Sequence, residues 1–399
     1  MSPVFSHIKV LNDHLRATWL FKNLHLKNQT NRRRSSAILF SFSLISAVLA
    51  SVLSISPSAE AATFYTFCRS GCKYNNLQTA IRALPLAGGT IYIKDGTYVL
   101  YNTITLKSDT TLEFSKYAKI DFRGSSKPLF KGTDVLRVTI KGGTIVAEYS
   151  GVNAFAFYNS KSITVDGTKI QLVKGENSNA FYCRNCMNVY LMNVNAKSAS
   201  RLVDIGTDSG KNDGRSSNIW IRNGIFDGAS IEGIKVNFSR DVHIISNRVS
   251  NTYDNGIDIG WNRNSEVKYN RLTKVGLSDS AGVHADSANY ADIIGNTIDT
   301  TGRTAIPVYR ASHINVVDNT ITNSGGAAVS VITSKEPSSY IKVKSNHIIS
   351  PGDNGIYVSP LQKYLEISYN TFHDIPSGKK GVYVGSSNLT TKVFGNNLI

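Results

Sequence analysis

The chain has 399 residues, 41% of them hydrophobic, with 31 Gly and 9 Pro; this excludes a disordered protein and leaves a globular chain able to bury a large core. It carries 44 Lys and Arg against 28 Asp and Glu, a formal charge of +16. Such an excess favours an anionic partner, but the basic residues are spread along the chain, which argues against nucleic acid and for an acidic glycan.

The first stretch stands apart from the rest. Arg32, Arg33 and Arg34 precede an apolar, uncharged run from Ala37 to Ile55, and Ala59-Glu60-Ala61 follows. A basic flank, an apolar segment and an Ala-x-Ala site predict a secretory signal over residues 1–61, cut after Ala61. The rival reading is an uncleaved membrane anchor, and the five serines inside the apolar run weigh against it. Cleavage leaves 37 of the 44 basic residues and 26 of the 28 acidic ones, a charge of +11, so the basicity belongs to the mature chain. The expectation is a secreted, periplasmic or surface protein with no membrane contact after cleavage, and residues 62–399 form one domain.

The four cysteines fall into two close pairs, Cys68 with Cys72 and Cys183 with Cys186. Two local disulfides suit an exported chain. Cys183 also falls on an inward apolar column, where a free buried thiol is an ordinary filler. After the cleavage site, Asn75 or Asn76 can cap a helical segment from Leu77 to Leu84 that stops before Pro85. Gly88 to Tyr98 then alternates as strands about an Asp-Gly turn. No second helix is predicted after it.

A repeat settles the architecture instead. Asn followed two places later by an apolar residue occurs at Asn223, Asn247, Asn270, Asn296, Asn319, Asn346, Asn370 and Asn397, at spacings of 23 to 27 residues. In phase with it runs a small-apolar-x-apolar pattern: Gly233 to Val236, Gly256 to Ile259, Gly282 to Ala285, Ala305 to Val308, Ala328 to Val331, Gly355 to Val358 and Gly381 to Val384. Short strands and polar turns at this period, without helices, predict a β-helix of about ten coils with the N-terminal helix capping its open end. The eight asparagines read as an inward ladder, one per coil, with amides bonded along the axis and backbones tolerating the left-handed corner.

Side chains alternate between the faces of a strand, so the apolar residues of each copy point inward and the x residue points out. Lys235, Asp258 and His284 therefore share one outer column, and Asn237, Gly260, Asp286 and Tyr309 share the next, with Arg310 beside it. Tyr182, Tyr357 and Tyr383 extend the outward column, and Trp261 follows Gly260. His243, His313, His347 and His373 lie outside it and read as surface residues.

The Leu-Gln-x-Ala-Ile helix, the Gly-Gly-Thr-Ile-Tyr-Ile-x-x-Gly-Thr-Tyr run and these coils resemble the right-handed parallel β-helix proteins of the pectate lyase and polygalacturonase superfamily, from about Thr63 to Ile399. The resemblance implies an all-β fold and a substrate groove along the outside of the coil; it leaves the reaction open, because the fold carries lyases, epimerases, hydrolases and adhesins. It also implies that calcium is conceivable as a cofactor, with Asp204, Asp208, Asp213 and Asp258 as the groove carboxylates on offer.

Three functions fit the column. A uronate lyase or C5-epimerase removes the proton beside a sugar carboxylate, which needs a cation for that carboxylate and an acid and base at the ring. Lys235 and Arg310 supply the charge, His284 and Tyr309 are base and acid, Asp258 and Asp286 complete the catalytic set, and Tyr357 and Trp261 join the substrate-binding residues. The chain lacks the compact Asp-Pro-His or Asp-Gly-His element of mannuronan epimerases. An inverting polygalacturonase-type hydrolase is the second reading, with Asp258 and Asp286 offset by about 8 Å on strand geometry. The residues from Asn251 to Asp258 give only an interrupted form of that family's motif, and its later elements are missing. The third reading is a glycan-binding surface protein, with Lys235–Asp258 and His284–Asp286 as ordinary cross-strand ion pairs.

Overall fold

A computed structural model describes residues 63–399, apart from 174, 176, 207–215 and 334–335. The leader, the expected cleavage site, Asp208 and Asp213 lie outside the described residues.

Three parallel sheets of 14, 13 and 12 strands run along the described chain. One coil contributes one strand to each sheet: Asn289–Ile294 to the first, Thr297–Thr301 to the second and Ile306–Tyr309 to the third. Each strand pairs in parallel with its equivalent one coil away, as Ile293 with Val316 and Ile298 with Ile321. Inward residues of all three sheets stack into one continuous core, with Ile293, Ile298, Ile306 and Val308 fully buried in this coil. Each such side chain contributes roughly 1.5–3 kcal/mol by leaving water.

The coils number about 13 rather than ten. The shortfall has a simple source: the first turns, with strands such as Thr110–Phe114, Ala118–Phe122 and Phe130–Thr133, carry neither the asparagine nor the small-apolar-x-apolar pattern.

A single helix, Leu77–Ala83, is found among the described residues. Asn76 is its N-cap, its side chain accepting from Thr79 N at 2.9 Å, and Leu77, Ala80 and Ile81 are buried in the first coils. Leu84 ends the helix in an extended conformation, as a residue preceding proline favours.

The asparagine ladder is real and differs at both ends from the predicted one. In each rung the Nδ2 of one asparagine donates to the Oδ1 of the next: Asn247 to Asn270, Asn270 to Asn296, Asn296 to Asn319, Asn319 to Asn346 and Asn346 to Asn370, all at 2.9–3.0 Å. The last rung is Asn396, not Asn397, and at the other end Gly224 N, not Asn223, meets Asn247 Oδ1. The left-handed corner also falls one residue earlier than expected, at Ser246, Tyr269, Asp318, Ser345 and Tyr369. The ladder amides thus bridge coils while their neighbours turn the chain.

Both cysteine pairs are disulfides, Cys68–Cys72 and Cys183–Cys186, with Cα atoms 5.6 and 6.1 Å apart. Cys183 is therefore not a free thiol filler. Its bond fastens the corner between strands Asn179–Arg184 and Met187–Met192. No helix among the described residues is long and apolar enough to cross a membrane.

Candidate functional site

The outer face of the third sheet holds the predicted column in register. Lys235 pairs with Asp258 and Asp258 with His284; further on, Pro307 pairs with Ser330, Ser330 with Tyr357 and Tyr357 with Tyr383. In the next column Asp286 pairs with Tyr309. Outward does not mean exposed here, for Asp258 is only 7% accessible.

That burial is offset by three contacts. Asp258 Oδ1 lies 3.3 Å from His284 Nδ1 and accepts from Gly260 N at 3.1 Å, while Oδ2 accepts from Asn237 Nδ2 at 3.1 Å. Burial alone would raise the Asp258 carboxyl. The hydrogen bond and charge of His284, the Asn237 amide and the charge of Lys235 together outweigh it and hold the carboxyl below its ordinary range. At His284 burial opposes the charged ring, yet the hydrogen bond to Asp258 and the charges of Asp258, Asp286 and Asp254 hold its pKa above the ordinary imidazole range.

A cavity of about 600 Å³ lies over this column, lined by His284, Asp286, Tyr309, Arg310, Ser330 and Tyr357 among others. The His284 and Tyr309 rings meet edge-on with centroids 6.1 Å apart. With Nδ1 on Asp258, His284 has Nε2 without a partner among the described residues, and the Tyr309 hydroxyl is likewise unbonded there. Arg310 grips Asp286 through Nε and Nη2 at 2.6–3.1 Å, leaving Nη1 without a partner among the described residues, on a residue that lines the cavity. Three polar groups able to meet a ligand thus converge on one space.

Two pairings differ from expectation. Lys235 turns away to Glu232 at 3.2 Å, and Glu232 also holds Arg201, so Lys235 is in register with Asp258 without joining the cavity. Asp286 pairs with Arg310 and His284 with Asp258, instead of His284 with Asp286. The buried Glu232 gives Lys235 a partner within its own turn, three residues away. Trp261 stands just outside the cavity lining, its ring stacked on Phe238 at 5.0 Å, with the Arg310 guanidinium 5.9 Å from it.

The sequence reading missed Asn255, Asp279, Arg303 and Asp353, which line the cavity from the turns entering the third sheet. Asp279 faces Arg303 at 4.0 Å and Asp353 faces Lys379 at 2.8 Å. One signal was available: Val275 and Thr301 are in register, as are Ala285 and Val308, so the earlier coil spends three more residues on this turn, and Asp279 sits in that excess.

The described carboxylates do not suit calcium. Both oxygens of Asp204 are taken by Arg184 at 2.9 and 3.0 Å, and both of Asp258 by the contacts above. No cluster of three or more potential metal ligands occurs among the described residues.

A family model described as a right handed beta helix region matches residues 276–399. The described chain is a right-handed parallel β-helix. Among solved structures, this β-helix is similar to a surface adhesin of Streptococcus pneumoniae, with 17% identity, a TM-score of 0.56, and 79% of this chain and 86% of that one covered. It is similar to the A-module of a mannuronan C-5 epimerase from Azotobacter vinelandii, at 14% identity, TM-score 0.58 and coverages of 81% and 94%. A family 28 exopolygalacturonase of Yersinia enterocolitica aligns at 14% identity, TM-score 0.50 and coverages of 80% and 75%. No curated protein matches the sequence. At these identities the likeness is one of fold.

Proposed function

We propose that the β-helix is an exported enzyme acting on a uronate-containing polysaccharide by abstraction of the C5 proton, as a lyase or a C5-epimerase. The observation that carries this reading is the convergence of His284, Tyr309 and Arg310 on one cavity, with Asp258 fixing the imidazole from beneath. Asp258 strengthens His284 as a base and leaves Nε2 to take the C5 proton, the division of labour of an acid-oriented histidine. The electron pair left on C5 passes into the sugar carboxylate, where the free edge of the Arg310 guanidinium stabilises the added charge. The Tyr309 hydroxyl then donates a proton, either to O4 as the C4–O4 bond breaks, giving an unsaturated product, or to C5 from the opposite face, giving the epimer.

The hydrolase reading fits less well. An inverting pair needs a carboxylic acid whose pKa is raised. Asp258 is held down instead, and Asp286 is clasped by Arg310. Incubation with alginate, pectate and neutral glycans, reading ultraviolet absorbance, reducing ends and uptake of solvent deuterium together, separates the outcomes. Ultraviolet gain or deuterium uptake on a uronate polymer is expected. New reducing ends with neither signal would mean hydrolysis, and no change on any glycan would leave a binding protein.

A further inference from the structure

From Asp134 to Arg310 the corner that follows the Asp286 column is left-handed in every coil where it is described, and its residue types change beside the cavity. Asp134, Asn159 and Asn185 occupy it in earlier coils, at φ of 54°, 50° and 57°. These short polar residues tolerate that conformation, and Asn185 Nδ2 also bonds Asn159 Oδ1 at 3.0 Å. Around His284, whose own coil turns at Ser287, the same corner is taken by Phe238 and Trp261 in the two coils before and by Arg310 in the coil after, at 53°, 55° and 44°. Large side chains are disfavoured there by about 1–2 kcal/mol each; Tyr290, His313, Tyr340 and Tyr364 bear the same cost on another corner, and what sets Phe238 and Trp261 apart is their place beside the cavity.

What these residues gain is not core packing. Trp261 is 43% exposed, and its ring lies nearly parallel to Phe238, at 9°, with centroids 5.0 Å apart. Rings at this separation are offset like tiles, so part of each face stays open. The pair continues the cavity wall, because Arg310 lines the cavity and its guanidinium lies 5.9 Å from the Trp261 ring. At the other end of the cavity, whose wall includes Tyr357, Tyr357 and Tyr383 form a second such pair, parallel within 1° with centroids 5.4 Å apart, and Tyr383 is 38% exposed. From the Phe238 coil to the Tyr383 coil is six strand spacings, about 29 Å at the usual 4.8 Å.

We infer that Phe238 and Trp261 form a glycan-stacking platform, paired with Tyr357 and Tyr383 across the His284 centre, so that the site takes an internal stretch of a long polysaccharide and not a chain end or a short oligomer. The inference rests on the glycan reading of the cavity. It names Phe238 as a binding residue.

The test measures binding of polymannuronate, polygalacturonate and their purified trimers in a His284→Ala background, so that turnover does not intrude. The better-bound polymer is expected to bind at least about tenfold more tightly than its trimer, and Phe238→Asn, Trp261→Asn and Tyr383→Ala each to weaken polymer binding by about fivefold to tenfold with trimer affinity unchanged. Asparagine suits the left-handed corner, so both Asn variants should melt no lower than the parent. The exposed ladder of Tyr290, His313, Tyr340 and Tyr364 on another corner, with ring centroids 4.5–4.7 Å apart, is the control, and Tyr340→Ala should leave binding unchanged. Equal affinity for polymer and trimer, or Asn variants that lose stability and keep affinity, would overturn the platform while leaving the cavity chemistry standing. Length-dependent binding without proton exchange in the wild type would keep the platform and overturn the chemistry, and no binding to either polymer would overturn both.

Discussion

Asp258 Oδ1 and His284 Nδ1 stand 3.3 Å apart on adjacent coils, at the same register position of the third sheet. The fold makes this contact unavoidable, because parallel pairing puts outward residues of successive coils about 4.8 Å apart. The sequence places the two residues 26 positions apart, and one coil brings them together.

Replacing His284 by Ala should lower turnover on the authentic substrate by about 100-fold or more, the scale of a lost general base. The melting temperature should fall only by the lost pairing with Asp258, since an outward side chain leaves no core cavity. Full activity in this variant, and in Tyr309→Phe, would show that the site lies elsewhere.

The pH dependence follows from the raised His284 pKa. A base must be neutral, so the rate should climb with pH through a value above about 6.5, the ordinary imidazole figure. Asp258→Asn removes the charge that lifts it and should move that limb to lower pH. Stability runs the other way. The raised His284 contribution is full below the unfolded value and lost as pH rises through the folded one, and the depressed Asp258 contribution is lost as pH falls through its folded value. The melting-temperature gap between wild type and His284→Gln should therefore be wider at about pH 6 than at about pH 9. A gap that widens with pH would contradict the pairing.

Arg310→Ala should weaken binding of uronate oligomers more than of neutral ones, and more at low salt than at high salt. The same change at Lys235 should do much less, since Lys235 is paired with Glu232 outside the cavity lining. Equal effects of the two would mean that the cavity does not receive the carboxylate.

Asn319→Ala should act on stability alone. Its amide bonds Ile293 O, Val317 O and Asn346 Oδ1, and its own Oδ1 accepts from Asn296. Removing it leaves buried groups unpaired at about 1–3 kcal/mol each, enough to depress the melting temperature clearly. Unchanged activity per folded molecule at a lower melting temperature is the expected pair of readings.

The fold was legible because a coil repeats: Ile257, Val283 and Ile306 mark the inward face, and a period-two pattern fixes what lies opposite. That logic gave the column of Asp258 and His284 and the next one, with Asp286 and Tyr309. It could not give side-chain reach, so Lys235 was assigned to Asp258 when Glu232 lies closer in its own turn. Nor could it give the turns, whose residues Asp279, Arg303 and Asp353 obey no period. The asparagine count slipped by one residue at each end because Asn223 and Asn397 flank the true ladder positions, where Gly224 and Asn396 stand.

The most direct test is to incubate alginate and pectate with wild type and with His284→Ala in deuterated water and follow the C5 proton by nuclear magnetic resonance. Loss of the C5 proton signal from one polymer with wild type, by deuterium replacement or by formation of an unsaturated unit, and its persistence with His284→Ala, is the predicted result. A C5 signal that wild type leaves intact on both polymers, or that His284→Ala removes as fast as wild type, would contradict His284 as the base.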